Sequence, residues 1–383
     1  MESCSRFVRP SIDSGQLVAQ FLQFVQIDSP SLDEAEFVRV LTEQLNELGL
    51  AVTNDETGRN GAGNLLAVLP GTDDAAGPIL LGMHMDTVEP GRSIKPQIED
   101  GYIKSDGATV LGADNKAAIA AVLAAACYLK EARPLHSDVE LLFTWGEERG
   151  LRGSLAFDSS RVRSRIGFSI DGGGPVGSII TQAPYHSSVR AVFTGKASHA
   201  GLEPENGINA MTAAARALTQ MPLGRIDAET TANIGLISGG TARNVVPALV
   251  EIEGEARSLE LAKLERQLSS MVDAMESAAR DNRATVRIDI QRQYSGFHID
   301  NGELPVRIAA GAAEALGLTP SIKGSGGGSD ANNFNAKGIQ TVVLGMGGEG
   351  FHSTQERIAV ADLVLLAEFV VMLVIEAGRQ ARS

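Results

Sequence analysis

ILLGMHMDT, residues 79–87, is an apolar run that ends on a histidine and an aspartate. A short run of this kind, bounded by polar or glycine segments, reads as an interior sheet strand. Three further runs have the same character: VELLFTW from Val139, GFSID from Gly167 and QTVVLGM from Gln340. An alanine-rich helical pattern over 116–129 separates the first two. Upstream, helical patterns cover 14–26 and 32–48, followed by a strand-like NLLAVLPG at 64–71. Strands that alternate with helices imply an α/β fold, an α/β/α sandwich with helices on both faces of a sheet.

The segment 183–295 follows another order. It reads as strand SSVRAVF, helix INAMTAAARALT, strands TANIGLIS and LVEIEGEA, helix LELAKLERQLSSMVDAMESAARD and strand TVRIDIQ. That βαββαβ order is the split βαβ arrangement of a ferredoxin-like α+β unit. Because strand material of the first type resumes at QTVVLGM, the simplest organisation is a larger domain, 1–182 and 296–383, interrupted by an inserted domain, 183–295.

Composition limits the function. The chain has 383 residues, 43% hydrophobic and 21% charged, which suits a folded two-domain protein. Its 47 acidic against 33 basic residues give a net charge of -14, so nucleic acid and anionic membranes are disfavoured as partners. A small substrate or a cation fits better. Cys4 and Cys127 lie far apart and form no metal or redox spacing, which points to a reducing compartment, the cytoplasm by default. The opening MESCSRFVRPSIDSGQ lacks the apolar core of a secretory signal and is read as the start of the mature chain. The apolar stretch 359–377 is interrupted by Asp362, Glu368 and Glu376, and reads as a buried helix rather than a membrane span.

His84 and Asp86 stand at i and i+2 where the first strand ends, so their side chains share one face. Asp86 is placed to orient the imidazole, as carboxylates do for metal-bound histidines. Taken singly, a triplet of this kind is weak evidence and reads rather as a pair of polar strand-end residues. The rest of the set changes the weight: LGADNK places Asp114 at a helix start, TWGEERG places Glu147 and Glu148 beyond a strand, SIDGGG ends a strand at Asp171, and GFHSTQE places His352 after the last. All lie at the carboxyl ends of strands or in the loops beyond, where ligands collect in open α/β sheets. So many carboxylates in one cleft would repel one another, and divalent cations would remove that penalty.

In these motifs the chain resembles the di-zinc metallopeptidases that include peptidase T, bacterial dipeptidases, glutamate carboxypeptidases, aminoacylase and succinyl-diaminopimelate desuccinylase. The resemblance spans nearly the whole chain and implies that Asp114 bridges two zinc ions, with Co2+ or Mn2+ as possible substitutes. His84 and Asp171 would complete one site, and Glu148 and His352 the other. Glu147 would be the general acid/base, Asp86 the residue orienting His84, and the bond from Asp114 to Asn115 is expected to be cis. The chemistry agrees: histidine and carboxylate ligands without cysteine suit catalytic zinc. Two close zinc ions lower the pKa of a bridging water and polarise a scissile carbonyl.

Three further segments are expected to bind substrate. KASHAGLEPENGINA carries His199, resembling a motif whose histidine contacts the scissile carbonyl from the partner subunit of a homodimer paired through its inserted domains. GGTARNVVP carries Arg243 and Asn244, resembling contacts to a substrate carboxylate. GSGGGSDAN offers the amides of Gly326 and Gly327 to a carboxylate. His136, His186 and His298 read as structural or surface residues, and Met83 and Met85 as sheet packing. An aspartate at the position of Asp171 tends to accompany aminopeptidase or dipeptidase activity, which favours the peptidase T side. The expected reaction is hydrolysis of short peptides. The rivals are an N-acyl-amino-acid deacylase or carboxypeptidase of the same family, a zinc-dependent binding protein without catalysis, and a phosphate-loop protein, for which GSGGGS lacks the Lys-Ser/Thr ending.

Overall fold

A computed structural model describes residues 9–73 and 77–380; Cys4 and the first half of the N-terminal stretch read above lie outside them. The chain divides into two units, one of Met1–Thr181, His298–Gly324 and Ser329–Ser383, the other of Gln182–Phe297 and Ser325–Gly328.

The first unit is built on a mixed sheet. From one edge its strands run Ala51–Asn54, Leu65–Leu69, Val139–Thr144, Ile79–His84, Ile166–Gly172, Gln340–Gly345, Ser178–Ala183 and Phe297–His298, with Ser321–Gly324 also paired to Ser178–Ala183. The four in the middle are mutually parallel. They are the four apolar runs of the sequence, and Ile79–His84 and Val139–Thr144 are buried at every residue because helices cover both faces. From Ile79–His84 the chain steps to a neighbour on one side and then to a neighbour on the other. Strand order therefore reverses at the strand that ends on His84, which opens a crevice beyond the carboxyl ends.

Each face of this sheet is covered for a readable reason. On one, Leu66, Leu80 and Leu142 pack with Phe157, Val162, Phe334 and Ile339. On the other lies the helix Ala113–Ala132, itself packed against the helices Ser14–Val25 and Val360–Gln380. A helix surrounded in this way must be apolar all round, and its alanines at 117, 118, 120, 121, 125 and 126 are buried. The helix Val360–Gln380 accounts for the apolar C-terminal stretch, with Glu368 paired to Arg9 at 2.9 Å. No helix among the described residues is long and apolar enough to cross a membrane. His136 is buried against the Ser137 carbonyl, and Met83 and Met85 are buried.

Gly82 sits directly under the Phe334 ring: a Cβ there would lie 2.8 Å from Cε2 of Phe334. The ring is fully buried and has little room to withdraw. Gly82→Ala is expected to destabilise the fold by about 1–3 kcal/mol through overpacking. A urea midpoint equal to wild type would show that Phe334 moves aside freely.

The second unit is a separate antiparallel sheet in the order Gly224–Arg225, Thr230–Gly239, Leu249–Ser258, Tyr185–Thr194, Thr285–Tyr294. Its four long strands, numbered along the chain, lie in the order 2-3-1-4, the ferredoxin-like arrangement. The helices Ala210–Gln220 and Leu261–Asp281 bury Ala213, Ala217, Leu264, Met271 and Met275 against Val189, Ala191, Phe193, Val250 and Ile252 of the sheet. His186 lies 3.0 Å from a Glu255 oxygen and beside the Tyr294 ring, while His298, in the first unit, pairs with Asp300 at the surface. Ser325–Gly328 groups with this second unit because Gly328 rests on Tyr294, where a Cβ would come within 2.3 Å of the ring.

Candidate metal centre

The four parallel strands deliver their polar residues to one place. His84 is the last residue of its strand, Asp171 the second from last of Ile166–Gly172, Glu147 and Glu148 follow Thr144, and His352 lies in the loop after Gln340–Gly345. Asp114 is the second residue of the helix Ala113–Ala132, and its peptide bond to Asn115 is cis. The Asn115 side chain donates to the Ile170 carbonyl at 2.8 Å and to Asp171 Oδ1 at 3.2 Å, tying the helix start to the neighbouring strand end.

The donor atoms fall into two sets joined at Asp114. Its Oδ1 lies 3.0 Å from His84 Nε2, which also lies 3.4 Å from Asp171 Oδ1. Its Oδ2 lies 3.4 Å from His352 Nε2, which in turn lies 2.8 Å from Glu148 Oε1. Donors on a tetrahedral cation with bonds near 2.0–2.1 Å stand about 3.3 Å apart, so these separations match coordination edges. Atoms of His84, Asp114 and Glu148 all lie within 4.8 Å of one another. The imidazole and carboxylate atoms of these residues thus lie close enough together to suit the binding of cations.

The electrostatics show what such a cluster costs without cations. Burial, followed by the Asp114 charge among its carboxylate neighbours, pushes Asp171 up to about 7 despite its contact with His84. Burial and the charge of Asp171 hold Glu147 well above the usual carboxylate range. His352, bonded to Asp114 and Glu148, rises to about 10. His84 is also raised, because three carboxylates outweigh the burial that would lower it. Two divalent cations would take the place of these protons.

Asp86 has a wider reach than its spacing from His84 suggested. The shorter contact of His84 Nδ1 is the Asp86 backbone carbonyl at 3.0 Å, with carboxylate Oδ1 at 3.4 Å. That carboxylate accepts from the backbone N–H of Glu147 at 2.9 Å and of Glu148 at 3.2 Å, and from the Ser31 hydroxyl at 2.7 Å. It holds the Glu147–Glu148 turn in place as well as flanking the histidine. Two other buried carboxylates support the same turn. Glu34 accepts from the amides of Leu32 and Gly146 at 2.8 and 3.0 Å, and burial, then the Asp86 charge, lifts it to about 7. Asp330 accepts from the hydroxyls of Thr144 and Ser154. A fourth, Glu356, accepts from three amides of the Asp114 segment. Sequence reading did not single out Ser31, Glu34, Asp330 or Glu356, and named Asn115 only for its peptide bond to Asp114. The one available signal was that Asn115, Asp330 and Glu356 lie inside motifs already quoted.

The remaining candidates belong to the second unit. The His199 and Arg243–Asn244 segments adjoin there: Ala200 N–H donates to the Asn244 carbonyl at 2.9 Å, and His199 bridges to Val245. His199 Nδ1 accepts from the amides of Gly201 and Leu202 at 3.2 and 3.1 Å, which leaves Nε2 as its N–H donor. Arg243 and Asn244 are exposed. In the glycine loop, the Gly327 amide donates to Ser325 Oγ at 3.0 Å, so the open amide of the pair is that of Gly326.

Comparison with known proteins follows the same lines. The model of peptidase family M20/M25/M40 matches residues 80–376. The YqjE protein of Bacillus subtilis (strain 168) is 44% identical over 371 residues, 96% of this chain and 100% of that protein. The crystal structure of aminopeptidase PepT from Bacillus cereus ATCC 10987 superposes with a TM-score of 0.88 at 45% identity, covering 96% of this chain and 99% of that one. A tripeptidase from Staphylococcus aureus subsp. aureus Mu50 gives a TM-score of 0.92 at 38% identity, covering 96% and 100%.

Proposed function

The chain belongs to peptidase family M20/M25/M40 and is a metallopeptidase, and from that premise we propose that it is a di-zinc aminopeptidase of the peptidase T kind, acting on di- and tripeptides. The observation that carries the two-metal reading is the division of Asp114, one oxygen toward His84 and Asp171 and the other toward His352 and Glu148. Zinc bound by these residues would polarise the scissile carbonyl and lower the pKa of the attacking water. Glu147 takes the proton from that water and delivers it to the leaving amine, held in place by the Asp86 bond to its backbone amide. Arg243, Asn244 and the Gly326 amide receive the substrate carboxylate; Gly327, whose amide is bonded to Ser325 Oγ, is withdrawn from that set.

The names of the two similar solved structures, an aminopeptidase and a tripeptidase, support this substrate class over N-acyl amino acids. Zinc-loaded protein assayed against free, N-blocked and C-blocked di- and tripeptides tests it. Free tripeptides are expected to be cleaved and N-blocked ones spared. Preferential cleavage of N-acyl amino acids would instead assign the deacylase reading. The widely separated cysteines suit the cytoplasm, where short peptides are recycled.

The protein works as a homodimer through its inserted domains. Supporting this, the strand Thr230–Gly239 has no strand on its outer edge beyond Ala232 among the described residues, and it exposes Leu236 at 64% and Ile237 at 54%. An unpaired apolar edge invites a second copy. His199 then donates its Nε2–H to the oxyanion in the partner's site, a contact whose loss costs about 10²–10³-fold in rate. His199→Ala and Glu147→Gln chains are each expected to be nearly inactive, and co-refolded heterodimers to recover a substantial fraction of wild-type activity. Verified heterodimers as inactive as either parent would end the claim that His199 works in trans.

A further inference from the structure

Glu356 lies four residues beyond His352 and is 2% exposed. Its Oε2 accepts from the backbone amides of Leu111 and Gly112 at 2.7 and 2.8 Å, and its Oε1 from that of Asp114 at 2.9 Å. One buried carboxylate thus satisfies three amides of the segment that presents Asp114. Its own loop presents His352, which the chain holds at φ +60°, a left-handed conformation that a histidine adopts at some cost.

That loop is anchored independently. Its ends pair through reciprocal backbone bonds between Glu349 and Arg357, and Arg357 Nε and Nη2 both reach Glu349 Oε2, at 2.9 and 2.6 Å. Beyond it, Arg357–Ala359 adds as a strand to Tyr102–Lys104. The loop therefore does not need Glu356 to close. Glu356 supplies three direct hydrogen bonds from the His352 loop to the Asp114 segment, residues more than 240 apart in sequence. His352 Nε2 stands 3.4 Å from Asp114 Oδ2, the separation a shared cation requires.

We propose that Glu356 is a positioning residue of the metal centre, setting the distance between His352 and Asp114 before metal arrives and so determining the affinity of the site formed by His352, Glu148 and Asp114 Oδ2. This rests on the two-metal reading above. Charge-assisted bonds to backbone amides are among the stronger hydrogen bonds, and three from one group make a stiff clamp. Glutamine in its place keeps the shape but offers one acceptor where there were two. Its amide N–H2 then faces a backbone N–H, so one strut of the clamp turns repulsive.

The test is a metal titration. Zinc-stripped wild-type, Glu356→Gln and Glu356→Asp proteins are titrated with Co2+ and followed by visible absorption, with zinc per chain measured after dialysis. Wild type is expected to bind two ions. Each variant is expected to bind one with unchanged affinity and the second at least tenfold more weakly. Excess zinc should restore kcat with peptide KM unchanged, which mere loss of folded protein would not produce. A folded variant that binds two ions as tightly as wild type overturns the proposal, whereas a wild type that binds only one overturns the two-metal reading instead. Wild-type protein alone supplies a second arm through hydrogen exchange of the metal-free form. The amides of Leu111, Gly112 and Asp114 should be protected before metal is added, and free exchange until metal binds would refute preorganisation by Glu356 whether or not the variants fold.

Discussion

Asp114→Ala is expected to leave the protein without either metal ion and without measurable peptidase activity. Asp114 is the one residue whose two side-chain oxygens face different halves of the donor set, at 3.0 Å from His84 and 3.4 Å from His352. On the two-metal reading proposed above, alanine removes a ligand from both ions at once, together with the charge that lets two dications sit close. Loss of a residue that merely supports a ligand weakens metal binding roughly 10–100-fold, so loss of a shared ligand should exceed that for each ion. The fold should survive, because the backbone N–H bond from Asp114 to Glu356 is one that alanine retains. Zinc per chain, measured after dialysis against a weak chelator, reads the result. One zinc held as tightly as in wild type would mean that Asp114 serves a single ion. Glu148→Gln is the useful companion, since it should weaken only the His352 side.

The parts of this architecture that could be read beforehand share a physical cause. Ile79–His84 and Val139–Thr144 are covered on both faces, so nothing polar interrupts them and their ends show as an abrupt change to His, Asp or Glu. The ferredoxin-like order was legible because its strands bury one face only and alternate accordingly: Val189, Ala191 and Phe193 are buried while Arg190 is exposed. Other elements carry weaker signals. Leu304–Ala315, in which alanine and glycine hold half the positions, has little contrast between its faces. Gln97–Glu99 and Tyr102–Lys104 are three residues each, below the length at which alternation can be recognised. Ser178–Ala183 runs antiparallel beside Gln340–Gly345, which only the assembled sheet discloses.

The candidate donors could be picked out because metal chemistry restricts such groups to a few residue types at strand ends. Their supports could not, for a reason that Glu356 and Asp86 make plain. Glu356 bonds to the amides of Leu111, Gly112 and Asp114, and Asp86 to those of Glu147 and Glu148. Every residue but proline carries such an amide, so the partner of a carboxylate of this kind leaves no mark in the sequence. The spacing of His84 and Asp86 announced one contact of Asp86 and was silent on the others, made 61 and 62 residues away.

Glu147→Gln should separate proton transfer from metal binding. The histidines at the head of the two donor sets contact Asp114, Asp171 and Glu148, and among the described residues neither forms an ion pair with Glu147. Glu147 is nevertheless buried beside them, its amide fixed by Asp86 at 2.9 Å. Burial and the charge of Asp171 raise its affinity for a proton, which a group must have if it is to accept one from water and carry it to an amine. Glutamine preserves the volume and the backbone bond to Asp86 while removing the capacity to carry that proton. The variant is accordingly expected to hold two metal ions per chain, to keep a KM near wild type, and to lose about 10²–10⁴-fold in kcat, the range for a general acid/base. Both quantities must be measured on the same sample. A variant that loses a metal ion would place Glu147 among the ligands. One that keeps both ions and falls less than about tenfold in kcat would show that another group moves the proton, since that is below what loss of a general base costs.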